Sequence, residues 1–118
     1  MNKEKFIAEY IQEFCEKIIN SQIQKTKIIS ICNLLLKLKK ENSVHVFGNG
    51  GSSSIASHFS MDLTNNSKIK CLNYNDSSII TCFSNDYGFE NWISRAISKY
   101  GRKDDFLILI SSSGKSKN

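Results

Sequence analysis

The sequence predicts an α/β fold, a parallel sheet with helices on both faces in flavodoxin-like layering, preceded by two N-terminal helices and incomplete at the C-terminus. Three observations carry this. Two short apolar runs, Val44–Phe47 and Phe106–Ile110, each end in a glycine- and serine-rich turn. Segments with apolar residues at helical spacing precede and separate them. The resulting order, α-α-β-α-β-α-α-β, is that of a layered sheet with crossover helices.

The first predicted helix runs from Lys3 to Asn20. Phe6, Tyr10, Phe14 and Ile18 form one i,i+4 row, and Ile7, Ile11, Cys15 and Ile19 form the row beside it. Asn20-Ser21 marks a break or cap. A second helix is expected over Gln22–Lys40, with Ile23, Ile28, Ile31, Cys32, Leu35 and Leu38 apolar and Ile29, Leu34 and Leu36 widening the stripe. So wide a stripe needs more than one neighbour, either in its own core or in another subunit. Val44-His45-Val46-Phe47 is a strand, and a helix follows its turn, with Ile55, Ala56, Phe59 and Leu63 at helical spacing. Thr64–Ser67 reads as a turn, Ile69–Tyr74 as a second strand, and Asp76 as the N-cap of a short helix through Phe83. Asn85–Gly88 reads as a loop. Phe89, Trp92, Ile93, Ala96, Ile97 and Tyr100 then mark an amphipathic helix that Gly101 ends. Phe106–Ile110 is apolar throughout, as expected for a parallel strand covered on both faces. A strand and a serine–glycine turn close the chain without the helix they should open, which suggests a truncated product. The expected organisation is a single partial domain over 1–118, with a helical pair in 1–42 and the core in 43–118.

The turn after the first strand suggests a ligand. Gly48, Gly50 and Gly51 allow close backbone approach, and Ser52, Ser53, Ser54 and Ser57 add hydroxyl donors at a helix N-terminus, where an anion is favoured. A dinucleotide fingerprint would need glycine where Ser53 stands and an acid after the next strand, where Asn73 and Asn75 stand. Asp76 is a weak substitute. A P-loop ending at Gly114-Lys115-Ser116 would need its first glycine at Leu109. A phosphorylated small molecule fits better than either nucleotide. A tight strand-to-helix turn without a ligand is the alternative.

Composition narrows the partners. The net charge is +5, and 14 of the 16 basic residues are lysines, scattered without interleaved aromatics. This is a solvated surface rather than a nucleic-acid patch. No apolar run approaches the ~20 residues a membrane span requires. The N-terminus mixes acids and bases without a signal-peptide core, so a cytoplasmic protein is expected. Cys15, Cys32, Cys71 and Cys82 form no CxxC and read as reduced, small apolar residues.

Gly48-Asn49-Gly50-Gly51-Ser52, His58-Phe59, Ser84–Asn91 and Ile110–Ser116, in that order, resemble the sugar-isomerase (SIS) domain, and within it the phosphoheptose-isomerase branch. The likeness covers roughly the first three-fifths of such a domain. It implies substrate binding by Asn49, Gly50, Gly51, Ser52, Asn85, Asp86, Ser111, Ser112, Ser113 and Ser116, with the second serine turn gripping a phosphate. The reaction implied is aldose–ketose isomerisation of a seven-carbon sugar phosphate, sedoheptulose 7-phosphate, by a carboxylate base through an ene-diol. It also implies a homotetramer with active sites between subunits, a possible zinc ion, and a role in bacterial lipopolysaccharide heptose supply. His58 and Asp62 stand where the family places a metal-ligand pair, and Asp62 also stands at the catalytic base. The family has glutamate there, so the carboxylate is one methylene shorter. A hydrogen-bonded helix pair is the plainer reading of these two residues. A non-catalytic phosphosugar-binding relative and an interaction protein remain the alternatives.

Overall fold

The computed structural model describes residues 2–19 and 22–118, in two compact units, Met1–Leu36 and Lys37–Asn118. The first unit holds α1 (Lys3–Ile19) and α2 (Gln22–Leu36). The Asn2 side chain accepts from the backbone N–H of Glu4 and Lys5 and so starts α1. Glu13 pairs with Lys17 one turn on. Both apolar rows of α1 face solvent: Phe6, Ile7, Tyr10, Ile11, Phe14, Ile18 and Ile19 are each more than half exposed. The expected break at Asn20-Ser21 and the side chain of Ile23 lie outside the described residues. α2 stops at Leu36, four residues short of the expected end, and a turn in which the Asn42 N–H donates to the Lys39 carbonyl follows.

The second unit is a three-stranded parallel sheet of β1 (Val44–Gly48), β2 (Cys71–Asn73) and β3 (Phe106–Ile110), in the order β2-β1-β3. α3 (Gly51–Ser67) joins β1 to β2. α4 (Ser77–Tyr87), a 3-10 turn (Phe89–Asn91) and α5 (Trp92–Tyr100) join β2 to β3. The crossover from β1 to β2 and the one from β2 back across β1 to β3 run in opposite directions, so right-handed connections put α3 on one face and α4 and α5 on the other. The α/β class and the parallel sheet therefore match the expectation.

β1 is buried along its whole length. Phe47 packs with Tyr74, Trp92, Ile93 and Ala96 in the main core, its ring stacked on Tyr74 and edge-on to Trp92. His45 is on the same face. It is 1 % exposed, so its ring nitrogens need partners. Nε2 lies 2.8 Å from an Asp105 carboxylate oxygen and Nδ1 lies 2.8 Å from the Tyr74 hydroxyl. Asp105 also accepts from the Asn42 side chain and from the backbone N–H of Ser43 and Arg102. Burial works to raise the Asp105 pKa, but these four donors outweigh it and hold the carboxyl well below the usual range. Burial, together with Tyr100 and Asp105, pushes Tyr74 up to about 12, so its hydroxyl keeps its proton. With Asp105 ionised and able only to accept, Nε2–H is the donor to Asp105. Burial likewise pushes the Cys71 thiol up to about 11.

Several element boundaries differ from the sequence expectation. α3 runs through Thr64–Ser67, read above as a turn, because the Thr64 hydroxyl bonds the backbone of Cys71, and the helix closes on Lys68 in the left-handed region. β2 keeps only three residues of the expected six. Asp76 caps α4 as expected, accepting from the Ser78 and Ile79 N–H groups, and its carboxyl is lowered first by the Ser78 hydroxyl and then by those amides. α4 then continues to Tyr87, so Asn85 and Asp86 are helical rather than in a loop. Ile55 is exposed instead of lying on the buried stripe of α3. Nor is β3 covered on both faces: Leu107 and Leu109 are 46 % and 58 % exposed.

Candidate functional site

The strand order reverses between β1 and β3, and such a switch point leaves a crevice beyond the carboxyl ends of the strands. A cavity of about 430 Å³ opens there. The end of β1 supplies Phe47, Gly48, Asn49 and Ser52, and the end of β3 supplies Leu109, Ile110, Ser111, Ser112, Ser113, Gly114, Ser116 and Asn118, with Ile93 of α5 beneath. Its size lies in the small-molecule range, and its lining has an apolar floor with convergent polar groups.

Glycine is required twice in the first turn. A Cβ on Gly48 would collide with the Ser52 carbonyl, and Gly50 has φ +53. The Ser52 and Ser53 N–H groups, expected to face a ligand, donate instead to the carbonyls of Asn49 and Gly50 and close the turn. The serines of α3 also divide. Ser52 lines the cavity. Ser57 donates to the Ser53 carbonyl and to Asn73, and Asn75 donates to Ser53 and Ser57, so this cluster fastens α3 to β2. Asn73 and Asn75, which stand where a dinucleotide fingerprint would need an acid, are thereby engaged structurally.

The second turn keeps its donors. The Ser111 hydroxyl accepts from the Gly114 N–H and the Ser113 hydroxyl accepts from the Lys115 N–H, at 3.0 and 3.2 Å. Each hydroxyl retains its own proton to donate. Among the described residues that line the cavity none has a carboxylate side chain. A neutral wall rich in O–H and N–H donors suits a phosphate or a polyhydroxylated ligand.

Of the residues expected at a substrate site, the fold brings Asn49, Ser52, Ser111, Ser112, Ser113 and Ser116 to this cavity. Gly50 and Gly51 shape the turn behind it. Asn85 and Asp86 are on the last turn of α4, where Asn85 donates to Asp86, and neither lines the cavity. His58 and Asp62 form an exposed pair on α3 with Nε2 and Oδ2 3.2 Å apart. Asp62 is eleven residues into the helix, about 16 Å along its axis, and is not a wall of this cavity. No group of three or more His, Cys, Asp or Glu side chains suited to a metal occurs among the described residues. Two donors do not make a zinc site by themselves. The sequence reading missed Asn118 and the apolar floor of Phe47, Ile93, Leu109 and Ile110. The floor was legible in principle, since the last residues of strands flanking a switch point must border its crevice. Asn118 carried no local signal.

A parallel sheet with a crevice at its switch point, beside two serine-rich turns, belongs to the α/β domains that carry their site at the carboxyl ends of the strands. A family model described as the SIS domain matches residues 6–118, and the chain belongs to that family. Among curated relatives, phosphoheptose isomerase of Helicobacter pylori (strain Shi470) is 36 % identical over 122 residues, covering 98 % of this chain and 62 % of the relative. Phosphoheptose isomerase 1 of Campylobacter jejuni is 40 % identical over 111 residues, covering 87 % and 60 %. The solved phosphoheptose isomerase from Neisseria gonorrhoeae superposes with a TM-score of 0.84 at 29 % identity, covering all of this chain and 65 % of that one. The enzyme from Francisella tularensis gives 0.86 at 28 % with the same coverage. The chain thus spans about three-fifths of the length of the relatives it matches.

Proposed function

We propose that this chain is the phosphosugar-binding portion of a phosphoheptose isomerase. In that reading it holds sedoheptulose 7-phosphate for conversion to D-glycero-D-manno-heptose 7-phosphate. The observation that carries the proposal is the neutral, donor-lined cavity between β1 and β3. Ser111, Ser113 and Ser116 would hold the phosphate, and Asn49 and Ser52 would meet the sugar hydroxyls. The chemistry moves two protons: a base takes one from the hydroxyl-bearing carbon beside the ketose carbonyl as the carbonyl oxygen gains one, giving an ene-diol; return of a proton to the former carbonyl carbon, as the other hydroxyl gives up its own, leaves the aldose. Asp62 is the carboxylate proposed as base. Its place along α3, away from this chain's own cavity, supports a homo-oligomer, a tetramer in the resembling family, in which Asp62 serves a substrate held by a neighbouring copy. Asn85 and Asp86 would contribute in the same way. The exposed apolar rows of α1 supply the kind of surface such an assembly buries. His58 and Asp62 would give zinc two of its donors, so zinc retention by these residues alone should be weak. No helix among the described residues is long and apolar enough to cross a membrane. A cytoplasmic enzyme supplying heptose for lipopolysaccharide fits that.

Thermal denaturation with sedoheptulose 7-phosphate and with unphosphorylated sedoheptulose tests the reading. The phosphate ester should raise the midpoint and the free sugar should do little. Ser111→Ala with Ser113→Ala should remove most of the shift, at about 1.5–3 kcal/mol for each charge-assisted hydrogen bond lost. Equal stabilisation by both sugars would reject it.

A further inference from the structure

We infer that Asn118 is a positioning residue for the sugar-facing side of the cavity, acting through Asn49. The inference rests on the phosphosugar reading above. The two side chains exchange hydrogen bonds: Asn49 Nδ2 donates to Asn118 Oδ1 at 2.8 Å, and Asn118 Nδ2 donates to Asn49 Oδ1 at 3.1 Å. They are 69 residues apart in sequence, both part-buried, and both line the cavity. The pair therefore bridges the two turns that the switch point brings together.

The chemistry of a primary amide gives the bridge its consequence. Each amide has two N–H donors and two lone pairs. The reciprocal pair uses one of each and leaves one N–H and one lone pair on Asn49 in a fixed plane. An unpaired asparagine turns broadly about its last torsion, and its two flipped states exchange donor for acceptor. Asn118 holds the plane of the Asn49 amide and ties its flip to its own before a ligand arrives, so part of the ordering cost is not met on binding. A sugar hydroxyl, which both donates and accepts, depends on which face Asn49 presents. A phosphate oxygen only accepts and meets the serine turn. Asn118 should thus govern recognition of the sugar and spare recognition of the phosphate.

The test compares two probes, sedoheptulose 7-phosphate and inorganic phosphate, by calorimetry on the wild-type chain, Asn118→Ala, Asn49→Ala and the double variant. Asn118→Ala should weaken the sugar phosphate about tenfold and inorganic phosphate less than twofold. The double variant should bind no more weakly than Asn49→Ala. In parallel, the Asn49 side-chain amide should show slowed hydrogen exchange by NMR in the wild type and lose it in Asn118→Ala. Parallel loss of both probes would make Asn118 a general support of the serine turn and overturn the inference, as would additive losses, an unprotected Asn49 amide, or tighter sugar binding in Asn118→Ala. A wild-type chain that binds the sugar phosphate no better than phosphate fails the functional reading, and the inference with it. A wild-type chain that prefers the sugar phosphate while Asn118→Ala matches it fails the inference alone.

Discussion

His45 and His58 each sit beside an aspartate, at 2.8 and 3.2 Å, and there the similarity ends. The His45–Asp105 side chains are 1 % and 8 % exposed; the His58–Asp62 side chains are 82 % and 59 % exposed. The first pair is 60 residues apart and ties the middle strand to the loop before β3, with Tyr74, Asn42, Ser43 and Arg102 completing it. The second is one turn of a helix against itself. Distance alone does not rank them. Water competes freely for the exposed pair, and nothing replaces a lost partner in the buried one.

The comparison would break most sharply at Asp105. Asp105→Ala strips acceptors from four donors at once and leaves the buried His45 Nε2 without a partner, so a loss of about 3–5 kcal/mol is expected in urea unfolding. A cost below about 1 kcal/mol would mean that the network is ornamental. Next comes acid. Because the folded-state Asp105 pKa lies below its unfolded value, its contribution to stability is complete above the ordinary carboxylate pKa of about 3.9. That contribution is lost as pH falls through this value towards the depressed one. Unfolding free energy followed downward from pH 5 should fall more steeply in wild type than in Asp105→Asn. Parallel curves would refute the assignment. Tyr74→Phe should cost less, about 1–3 kcal/mol, since it leaves one imidazole nitrogen unpaired. At the small end, His58→Ala and Asp62→Ala should leave the unfolding midpoint unchanged within error. If they act in catalysis, turnover by the assembled protein should fall while stability does not.

The same contrast shows what the sequence could disclose. β1 and β3 were legible because each is a short apolar run that ends in a glycine- and serine-rich turn. α5 was legible from five apolar positions at helical spacing, while the sixth, Phe89, falls in the 3-10 turn before it, and the Asp76 cap was legible from its place before a helix. His45 was legible as part of a strand, but its partners were not. A polar residue inside a strand buried on both faces must be satisfied, yet the partner here comes from the other end of the chain. The end of α3 was misplaced because Thr64 bonds a strand instead of starting a turn. Of the site, the serine turns were visible as composition. The Asn49–Asn118 bridge was not, because two asparagines 69 residues apart meet only once the sheet has formed.

β3 pairs with β1 on one side, and among the described strands nothing pairs with its other side. Half of its backbone donors and acceptors are therefore unmatched by the sheet, and Leu107 and Leu109 stand exposed beside them. A flat apolar strand with an open edge templates further strands. For this polypeptide the practical consequence is colloidal. Held at high concentration by itself, it should tend to scatter light and precipitate through strand-on-strand growth, and a lysine at Leu107 should suppress that growth without unfolding the sheet.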